Sequence, residues 1–360
     1  MRPAHQTRYS AARAAFLDRL GNASHTFYEH PSRGPDGTIG LDVAYWPGAD
    51  TGRVLVVSSA THGGEGYCGS FVQCSLLDDD FARRAGEHFS LLMIHAVNPF
   101  GFAWVRRVNE NNVDLNRNFI DFSQPLPVHP AYDEIAAIVE PSQWAPDTAA
   151  GIMEALTQAA SRHPDDPRWL QAALSRGQYA HPHGQFYGGD APQWSNARIR
   201  EIAARHLAGR QVIWVDVHTA LGPYGTAECI VELDPASRNF AVAHDLWGER
   251  LSNMRTTGSV SVAVVGSMID ALAHTLGPRL LATALEIGTR EQAEVIGALI
   301  EDQWLHRYGE TSGEVFERVK RRMMDTFYPD DSVWRASVLE IARAVTDVDR
   351  VAAAFGEMAG

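Results

Sequence analysis

The stretch Val54-Leu55-Val56-Val57-Ser58-Ser59-Ala60-Thr61-His62-Gly63-Gly64-Glu65-Gly66 is the part of the sequence around which the rest of the chain is organised. Its first half is a short apolar run with three valines, which predicts a buried β-strand. Its second half is a glycine-rich turn, where the backbone can pass close to a bound group. His62 and Glu65 stand three positions apart in this turn, and both residue types are zinc ligands. Alone, this pair is a weak signal that chance supplies often.

Composition and charge bound the class of the protein. The 360 residues are 45% hydrophobic and 21% charged, as is usual for folded globular proteins. The formal net charge of −13 argues against nucleic acid or an anionic membrane as the main partner, since both are polyanions. No run approaches about 18 uninterrupted apolar residues, and the N-terminal segment 11–20 carries charges rather than a secretory signal. We therefore expect no nucleic acid and no membrane among the partners.

The numbers of cysteine and lysine residues indicate the cellular compartment and disfavour several catalytic mechanisms. The three cysteines, Cys68, Cys74 and Cys229, are too few and too scattered for a disulfide framework, which suits a reducing cytoplasm. The chain contains a single lysine, Lys320, so Schiff-base, Ser-Lys and P-loop chemistries are disfavoured. It also lacks a G-x-S-x-G elbow, which disfavours a serine hydrolase of the α/β-hydrolase type. The prediction is a cytoplasmic protein.

Strand and helix patterns alternate along the chain, and this order predicts an α/β protein with a largely parallel sheet. Strand patterns cover residues 24–28, 41–46, 53–60, 89–97, 210–217, 228–233 and 279–287. Helical patterns cover residues 11–20, 69–84, 195–207, 240–251 and 291–355. Residues 98–130 show neither period, and a long irregular segment of this kind is functional or disordered. Its embedded aromatic, asparagine and arginine residues favour a functional segment.

Three potential metal ligands lie at the ends of predicted strands. His62 and Glu65 follow the strand at 53–60, and His218 follows the strand at 210–217. Because parallel strands present their carboxyl ends at one edge of a sheet, these three side chains can meet there. Two histidines and one glutamate, with water in the fourth position, form a catalytic zinc set. The sequence therefore predicts one Zn²⁺ ion on His62, Glu65 and His218.

Other residues supply the remaining roles of such a site. Glu286 ends an apolar strand, where a carboxylate is costly unless it faces a site, so we predict that it is the general base. Only one of the adjacent Arg106 and Arg107 is expected to polarise a carbonyl; we favour Arg107 and assign Arg106 to substrate binding. Asn116 and Arg117 can hold a substrate carboxylate, the arginine as a fork and the amide as an added donor.

Some polar and aromatic residues allow two interpretations. Asp114 can hold the free ring nitrogen of a zinc-bound histidine or cap a turn. Tyr224 lies in a glycine-rich loop and is predicted to contact substrate, with a solvent-facing aromatic as the alternative. His181 and His183 could be taken for a metal pair, but they suit an exposed loop better. The acidic run 78–80 is interpreted as a solvated helix face.

Together these motifs resemble a known family. They are His62-x-x-Glu65, Asn98-Pro99-x-Gly101, Val113-Asp114-Leu115-Asn116-Arg117-Asn118, Asp216-x-His218-Thr219 and the late Glu286. In order and approximate spacing across residues 53–290 they are similar to the zinc carboxypeptidases, the carboxypeptidase A-like metallopeptidases. Segments such as RRVNENNVDLNRNF and HTALGPYG look most like a poorly characterised bacterial branch of that family.

The resemblance implies a fold and a set of roles. The fold is a three-layer α/β/α sandwich around a mixed, mostly parallel eight-stranded sheet. The roles are zinc binding by His62, Glu65 and His218, activation of the attacking water by Glu286, and support of His62 by Asp114. It also implies that Asn116 and Arg117 bind a terminal carboxylate.

The expected function is that of a zinc-dependent hydrolase that cleaves a peptide or amide bond next to a free carboxylate. Related desuccinylases and aspartoacylases use the same zinc set on N-acyl amino acids, so a small peptide and an N-acyl amino acid both stay open as substrates. A non-catalytic binding protein on the same fold is the alternative from another class. Residues 1–310 are expected to form the zinc carboxypeptidase-like domain and residues 311–360 a helical C-terminal extension packed on it, with a homo-oligomer left open.

Overall fold

An eight-stranded mixed sheet forms the centre of the protein. The computed structural model describes residues 8–256 and 258–358. The strands are β1 (Ser24–Gly34), β2 (Gly37–Trp46), β3 (Arg53–Ser58), β4 (Ser90–His95), β5 (Gln211–Ala220), β6 (Ala227–Val231), β7 (Leu251–Asn253) and β8 (Leu280–Gly288). They lie in the order β1-β2-β4-β3-β5-β8-β6-β7. The four central strands, β4, β3, β5 and β8, are mutually parallel, whereas β2 and β6 pair antiparallel with β4 and β8 on either side.

Helices cover both faces of this sheet. They are α1 (Tyr9–Leu17), α2 (Gly66–Asp78), α3 (Phe81–Gly86), α4 (Pro99–Ala103), α5 (Pro130–Asp133), α6 (Ala136–Val139), α7 (Thr148–Ala160), α8 (Trp169–Ser175), α9 (Trp194–His206), α10 (Arg238–Trp247), α11 (Met268–Leu276), α12 (Gln292–Tyr308), α13 (Glu314–Phe327), α14 (Ser332–Val345) and α15 (Val348–Glu357). One apolar core packs the sheet against α1–α3, α10, α14 and α15. A second core packs the other face against α9 and α11. The predicted three-layer α/β/α arrangement is confirmed.

The central strands form where continuous apolar runs occur, because a parallel sheet is covered on both faces. All residues from Val54 to Val57 in β3 are fully buried, and β4 is buried along its whole length. Residues 212–220 of β5 are buried as well. The carboxyl ends of β3, β5 and β8 consequently lie side by side, with Ser58 paired to Asp216 and His218 paired to Glu286. The predicted convergence of strand ends is confirmed.

The two strands at 24–28 and 41–46 extend much further than the pattern predicts. Strands β1 and β2 form a long hairpin whose tip is residues 35–36, so the proline- and glycine-rich segment belongs largely to the strands. The register shifts between Glu29 and Arg33, and Pro31 lies within that shift. Proline has no N–H to donate to a neighbouring strand, so it is tolerated where the strand pairing is irregular. The predicted strands at 24–28 and 41–46 were therefore too short.

Helix boundaries depart from the predictions at three places. The pattern at 69–84 is two helices, because Asp80 adopts a left-handed backbone with φ of 58° after α2 ends at Asp78. The acidic run 78–80 is exposed, but it ends a helix instead of forming a helix face. The pattern at 240–251 stops at Trp247 and gives way to the short strand β7. Helix α11, in a segment without a predicted element, covers the second face of the sheet.

A third core stands beside the sheet. It is formed by α5–α8 together with α12 and α13, and it includes the buried side chains of Leu156, Leu299 and Phe327. Helices α14 and α15 instead complete the first core, and the division at residue 310 stays a prediction. Residues 1–7 of the predicted N-terminal domain lie outside the described residues. In the described part of the chain, no helix has both the length and the apolar character that crossing a membrane requires.

Candidate metal centre and active site

The turn after β3 is held in place by close backbone packing. Residues Gly63–Glu65 form a single 3₁₀ turn that leads directly into α2. The amide N–H of Gly63 donates to the carbonyl oxygen of Arg107 at 3.1 Å, and that of Gly64 donates to Arg106 at 2.6 Å. A Cβ atom at Gly63 would lie 2.0 Å from the backbone of Gly101, so only glycine fits there. The glycines therefore fix the direction in which His62 and Glu65 point.

Three ligand atoms from this turn and from β5 converge. The Nδ1 atom of His62 lies 2.8 Å from Oε1 of Glu65, and Nδ1 of His218 lies 3.0 Å from Oε2 of the same carboxylate. The two Nδ1 atoms are 3.2 Å apart, and all three side chains are buried. A tetrahedral ion with bonds of about 2.0–2.2 Å separates its ligands by roughly 3.3–3.6 Å, so a small outward shift accommodates it. His62, Glu65 and His218 thus form a group that can hold a metal ion.

Each histidine is oriented from behind by an aspartate. Nε2 of His62 lies 3.2 Å from Asp114, and Nε2 of His218 lies 2.7 Å from Asp216. An N–H at each Nε2 that donates to its carboxylate leaves both Nδ1 lone pairs directed at the common point. Asp216 also accepts from the hydroxyls of Ser58 and Thr61, which fixes it against β3. This arrangement suits a metal-binding pair of histidines.

The surroundings of Glu65 and Asp114 favour the ionised form of both carboxylates. Burial opposes ionisation of Glu65, but the charges and hydrogen bonds of His62 and His218 hold its pKa well below the usual value. Burial likewise opposes ionisation of Asp114, and Arg107 and His62 hold its pKa well below the usual value. A charged glutamate between two imidazoles is the form that binds a cation.

Arg107 lies over the same cluster. Its Nε donates to Asp114 at 2.9 Å, its Nη1 lies 3.5 Å from Glu65, and its guanidinium stacks 4.7 Å above the Phe186 ring. Its Nη2 is 2.8 Å from Nε2 of His62. If Nε2 of His62 is protonated and donates to Asp114, it has no lone pair left to accept a hydrogen bond from Arg107. The metal-binding tautomer of His62 therefore leaves Nη2 free to turn towards the cavity.

Asn116 and Arg117 line the cavity next to this cluster. The side-chain oxygen of Asn116 accepts from the amide of Met268, so its NH₂ group is the end available to a ligand. Nε and Nη2 of Arg117 donate to the carbonyl oxygen of Ser175, and Nη1 donates to that of Asn116. Burial lowers the pKa of Arg117 to about 10, which leaves it charged at neutral pH. Two of its five N–H groups remain for a ligand.

Glu286 lies on β8 directly beside His218 and faces the same cavity. Its Oε1 accepts from the amide N–H of Leu221 at 2.9 Å, and its other oxygen is available for chemistry. Burial and the nearby carboxylate of Glu65 raise the pKa of Glu286 to about 7. A carboxylate with this pKa can both take up and release a proton at neutral pH.

Comparison with known proteins gives a family. A family model described as "Protein of unknown function (DUF2817)" matches residues 5–341. The chain belongs to the DUF2817 family. No curated protein matches it.

Several solved structures are similar to this chain at low sequence identity. A candidate metallopeptidase from Shewanella baltica is 13% identical, covers 84% of this DUF2817 chain and 92% of its own, and has a TM-score of 0.45. Carboxypeptidase A from Helicoverpa armigera is 14% identical, covers 88% of this chain and 73% of its own, and has a TM-score of 0.44. At these values neither likeness says anything about the activity of this chain.

Two residues predicted to bind substrate do not face the cavity of the DUF2817 chain. The guanidinium of Arg106 is buried and pairs with Asp302 through Nε at 3.1 Å, so the substrate-binding role assigned to it is corrected. Of the two adjacent arginines, Arg107 is the one that lines the cavity. Tyr224 is 46% exposed and donates to Asp331 on the surface, so its predicted substrate contact is corrected as well. The distant His181 pairs with Asp133, away from the metal group.

Two residues to which the sequence assigned no role contact residues of the site. Asp216 belongs to the Asp216-x-His218-Thr219 motif, and its carboxylate lies 2.7 Å from Nε2 of His218. Phe186 supports both Arg107 and Arg117 with its ring and has a left-handed φ of 53°. For a bulky residue this backbone costs about 1–3 kcal/mol and is typical of functional positions. The glycines around Phe186 were the available signal, since they indicate an unusual loop.

A single cavity joins all of these groups. It has a volume of about 510 Å³, which is within the usual range for small-molecule sites. The metal ligands, Arg107, Asn116, Arg117 and Glu286 line it on one side. Side chains of α7, α8 and α12 line much of the remainder. The cavity is therefore much larger than the metal group.

Proposed function

We propose that this DUF2817 protein is a zinc-dependent hydrolase that cleaves a peptide or amide bond next to a free carboxylate. The observation that carries the proposal is the position of Glu286. A carboxylate with a pKa raised to about 7 stands on the strand beside His218, in a cavity that three converging metal ligands also line. A general base beside a metal group is the arrangement that hydrolysis by activated water requires.

The residues that would hold zinc are His62, Glu65 and His218, with Asp114 and Asp216 fixing the two imidazoles. Bound there, zinc would lower the pKa of water to about 7 and polarise the scissile carbonyl. The donor set fits this ion, because two neutral imidazoles and one carboxylate leave a position open. The buried aspartates and Arg107 keep the ligands in one orientation, which is the main contribution of the protein to such a site.

Glu286 would move the proton. Its free oxygen takes a proton from the attacking water, and it then delivers that proton to the amine that leaves. The hydrogen bond from Leu221 holds the carboxylate in one rotamer during both transfers. Arg107, released from His62, stabilises the negative charge that develops on the carbonyl oxygen.

The free carboxylate of the substrate would bind at Asn116 and Arg117. The NH₂ group of Asn116 and the two unused N–H groups of Arg117 are the donors available there. Because Arg117 is held by two backbone carbonyl groups and stacks on Phe186, it is positioned before substrate arrives. This binding would favour amides whose amine half carries a free carboxylate.

The experiment that tests the proposal replaces Glu286 with glutamine. Glu286→Gln should retain zinc, measured by mass spectrometry, and lose about 10²–10⁴-fold in turnover of amide substrates, because general acid–base catalysis contributes that much. Glu340→Gln, an exposed glutamate on α14, is the matched control and should keep both properties. Full turnover by Glu286→Gln would remove the assigned base. A wild-type protein that binds zinc but hydrolyses none of the substrates would favour a binding protein on the same fold.

The substrate class is resolved by a panel. Peptides with a free C-terminus and N-acyl amino acids both place a carboxylate next to the scissile amide. Rates on the two sets, each with and without a chelator, assign the preference. A rate that the chelator does not reduce would contradict metal dependence.

A further inference from the structure

Much of the cavity lining is apolar. We call six of its apolar side chains the apolar wall: Met153, Ala160, Leu170, Leu221, Ile296 and Leu299. They come from α7, α8, α12 and the segment that follows β5. Of the residues that α7 and α12 contribute to the lining, Thr157 and Gln292 are polar and none is charged. This wall offers no partner for a charged or strongly polar group.

The wall is the open side of the third core. Met153, Ala160, Leu170 and Leu221 are only partly buried, although they pack against that core. Ile296 and Leu299 belong to the buried set of the same core and reach the cavity from α12. Apolar side chains that remain open in a cavity favour an apolar ligand, since its binding removes both surfaces from water.

The wall begins at the proposed general base. Leu221, one of its members, donates its backbone N–H to Glu286. Of the proposed carboxylate-binding residues, Asn116 accepts from Met268 at the start of α11, and Arg117 donates to Ser175 at the end of α8, so neither is tied to α7 or α12 by these hydrogen bonds. If the carboxylate of the substrate lies at Asn116, the half of the substrate on the other side of the scissile bond can therefore contact α7 and α12.

The rest of the lining is mixed. Apolar side chains such as Ile230, Met254 and Ile269 stand there beside the charged side chains of Arg168, Glu232 and Asp270. Burial and the carboxylate of Asp270 raise the pKa of Glu232. The charged groups make this part a poorer site for an alkyl or aromatic group than a wall without them. The apolar wall is therefore where such a group would be placed.

We propose that the apolar wall binds a bulky alkyl or aromatic acyl group, so that the substrate is an amide between an apolar carboxylic acid and an amino acid. This inference rests on the proposed hydrolase. Hydrolysis adds one water across the amide bond and yields the apolar carboxylic acid and the free amino acid, with no oxidant or further reactant. The acyl half supplies binding energy at the wall, and the amino acid half supplies the carboxylate for Asn116 and Arg117.

Binding is measured first, in zinc-loaded Glu286→Gln, which should not turn over. The probes are N-acetyl-, N-butanoyl-, N-hexanoyl- and N-octanoylglycine in calorimetric titrations. Each added methylene should tighten binding about two- to fourfold, as burial of a methylene group does. Equal affinities along the series would overturn the proposal.

Wall variants give the matched comparison. Met153→Gln with Leu170→Gln keeps side-chain size and helix propensity but makes the wall polar, so the dependence on chain length should flatten. Val333→Gln on α14, where the valine is 73% exposed, is the control and should keep the full dependence. An unchanged dependence in the double wall variant, with native thermal unfolding, would place the acyl group elsewhere and overturn the proposal.

A second series separates the two halves of the substrate. N-acetylglycine, N-acetylalanine, N-acetylleucine and N-acetylphenylalanine vary the amino acid half only. A stronger response here than in the acyl series would overturn the assignment of the wall to the acyl half. Dependence on acyl length in Glu286→Gln without hydrolysis by the wild type would support the wall and remove the hydrolase. Hydrolysis without that dependence would support the hydrolase and remove the wall.

Discussion

Two neighbouring arginines enter two different buried clusters. Arg107 lies over His62 and Glu65 at the edge of the cavity, whereas Arg106 lies with Asp302 and Lys320 in the interior. Their backbone carbonyl oxygens accept hydrogen bonds from the same turn. Arg106 accepts from Gly64, and Arg107 accepts from Gly63. The two arginines therefore share one structural role and differ in what their side chains contact.

The interior cluster is closed, in the sense that its charged side chains pair with one another. The Lys320 ammonium lies 2.5 Å from Asp302 and 2.6 Å from Nε2 of His306, and Arg106 approaches the same aspartate. Burial lowers the pKa of Lys320 to about 8 and that of His306 to about 3. Burial opposes ionisation of Asp302, but the charges of Lys320 and Arg106 bring its pKa down to about 2. Asp302 is thus the carboxylate that both cations share.

The cluster at the cavity differs in that its ligand atoms face one another. Two imidazole nitrogens and a carboxylate approach a common point, and each imidazole is held from behind by an aspartate. Such an arrangement is suited to a cation at its centre. The charged groups of the closed cluster pair with one another, whereas the converging groups can act as ligands of an ion. Four predictions test this difference between the two clusters.

The largest effect is expected from His218→Ala. Loss of a supporting residue alone costs about 10–100-fold in metal affinity, so loss of a ligand should cost more than about 1,000-fold. Zinc content measured by mass spectrometry should fall close to zero. His181→Ala, which removes an imidazole paired with Asp133, is the control and should leave the zinc content unchanged. Full zinc content in His218→Ala would contradict the ligand set.

Asp302→Ala should lower the stability of the protein without changing its zinc content. It leaves Arg106 and Lys320 buried without their carboxylate, which is expected to lower the free energy of unfolding by about 3–5 kcal/mol. The zinc content of the folded protein should be retained, because the closed cluster supplies no ligand. Urea unfolding against Asp165→Ala, an exposed aspartate, measures the difference. A loss below about 1 kcal/mol would show that the pairing contributes little.

A smaller effect is expected from Asp216→Asn. The amide can still accept from Ser58 and Thr61, but it no longer attracts the Nε2 proton of His218 as a carboxylate does. Zinc affinity should fall about 10–100-fold, measured by competition with a chelator. Asp114→Asn is the parallel variant for His62. Unchanged affinity in both variants would mean that the aspartates do not tune the site.

The smallest effect is a dependence of stability on pH. The pKa of Lys320 is about 8 in the folded protein and has an ordinary value of 10.5, so the unfolded chain binds more protons between these values. Stability should therefore rise with pH, by about 1 kcal/mol between pH 7 and 9 from this residue alone. Lys320→Met lacks this gain.

Urea unfolding of both proteins at pH 7 and pH 9 gives the comparison. The groups that face Lys320 are Asp302, His306 and Arg106, and they remain in the variant. A difference between wild type and Lys320→Met that does not change with pH would contradict the lowered pKa.

The sequence predicted the strands of the central sheet because their apolar character is continuous. Burial on both faces selects such runs, so β3, β4, β5 and β8 were found close to their observed positions. The strands β1 and β2 were predicted too short, because proline and glycine at an irregular edge imitate a loop. Helix α11 was not assigned, although Ser267 stands at its N-cap position.

The residues of the site also differ in how well the sequence could predict them. His62, Glu65, His218 and Glu286 follow apolar strands, and parallel pairing alone brings such positions to one edge. The choice between Arg106 and Arg107 could not be made from their order in the chain. It depends on Asp302, which is far along the sequence and pairs with one of them.

The amino-acid pattern was enough to predict which strands carry the ligands and which residue types could form a metal group, because strand burial and ligand chemistry are local properties. The folded structure was needed to show that Asp216 contacts His218, that Arg106 and Tyr224 face away from the cavity, and that the third core supplies an apolar wall. These outcomes depend on the direction of side chains from distant elements. Packing in three dimensions sets that direction, and no spacing along the chain encodes it.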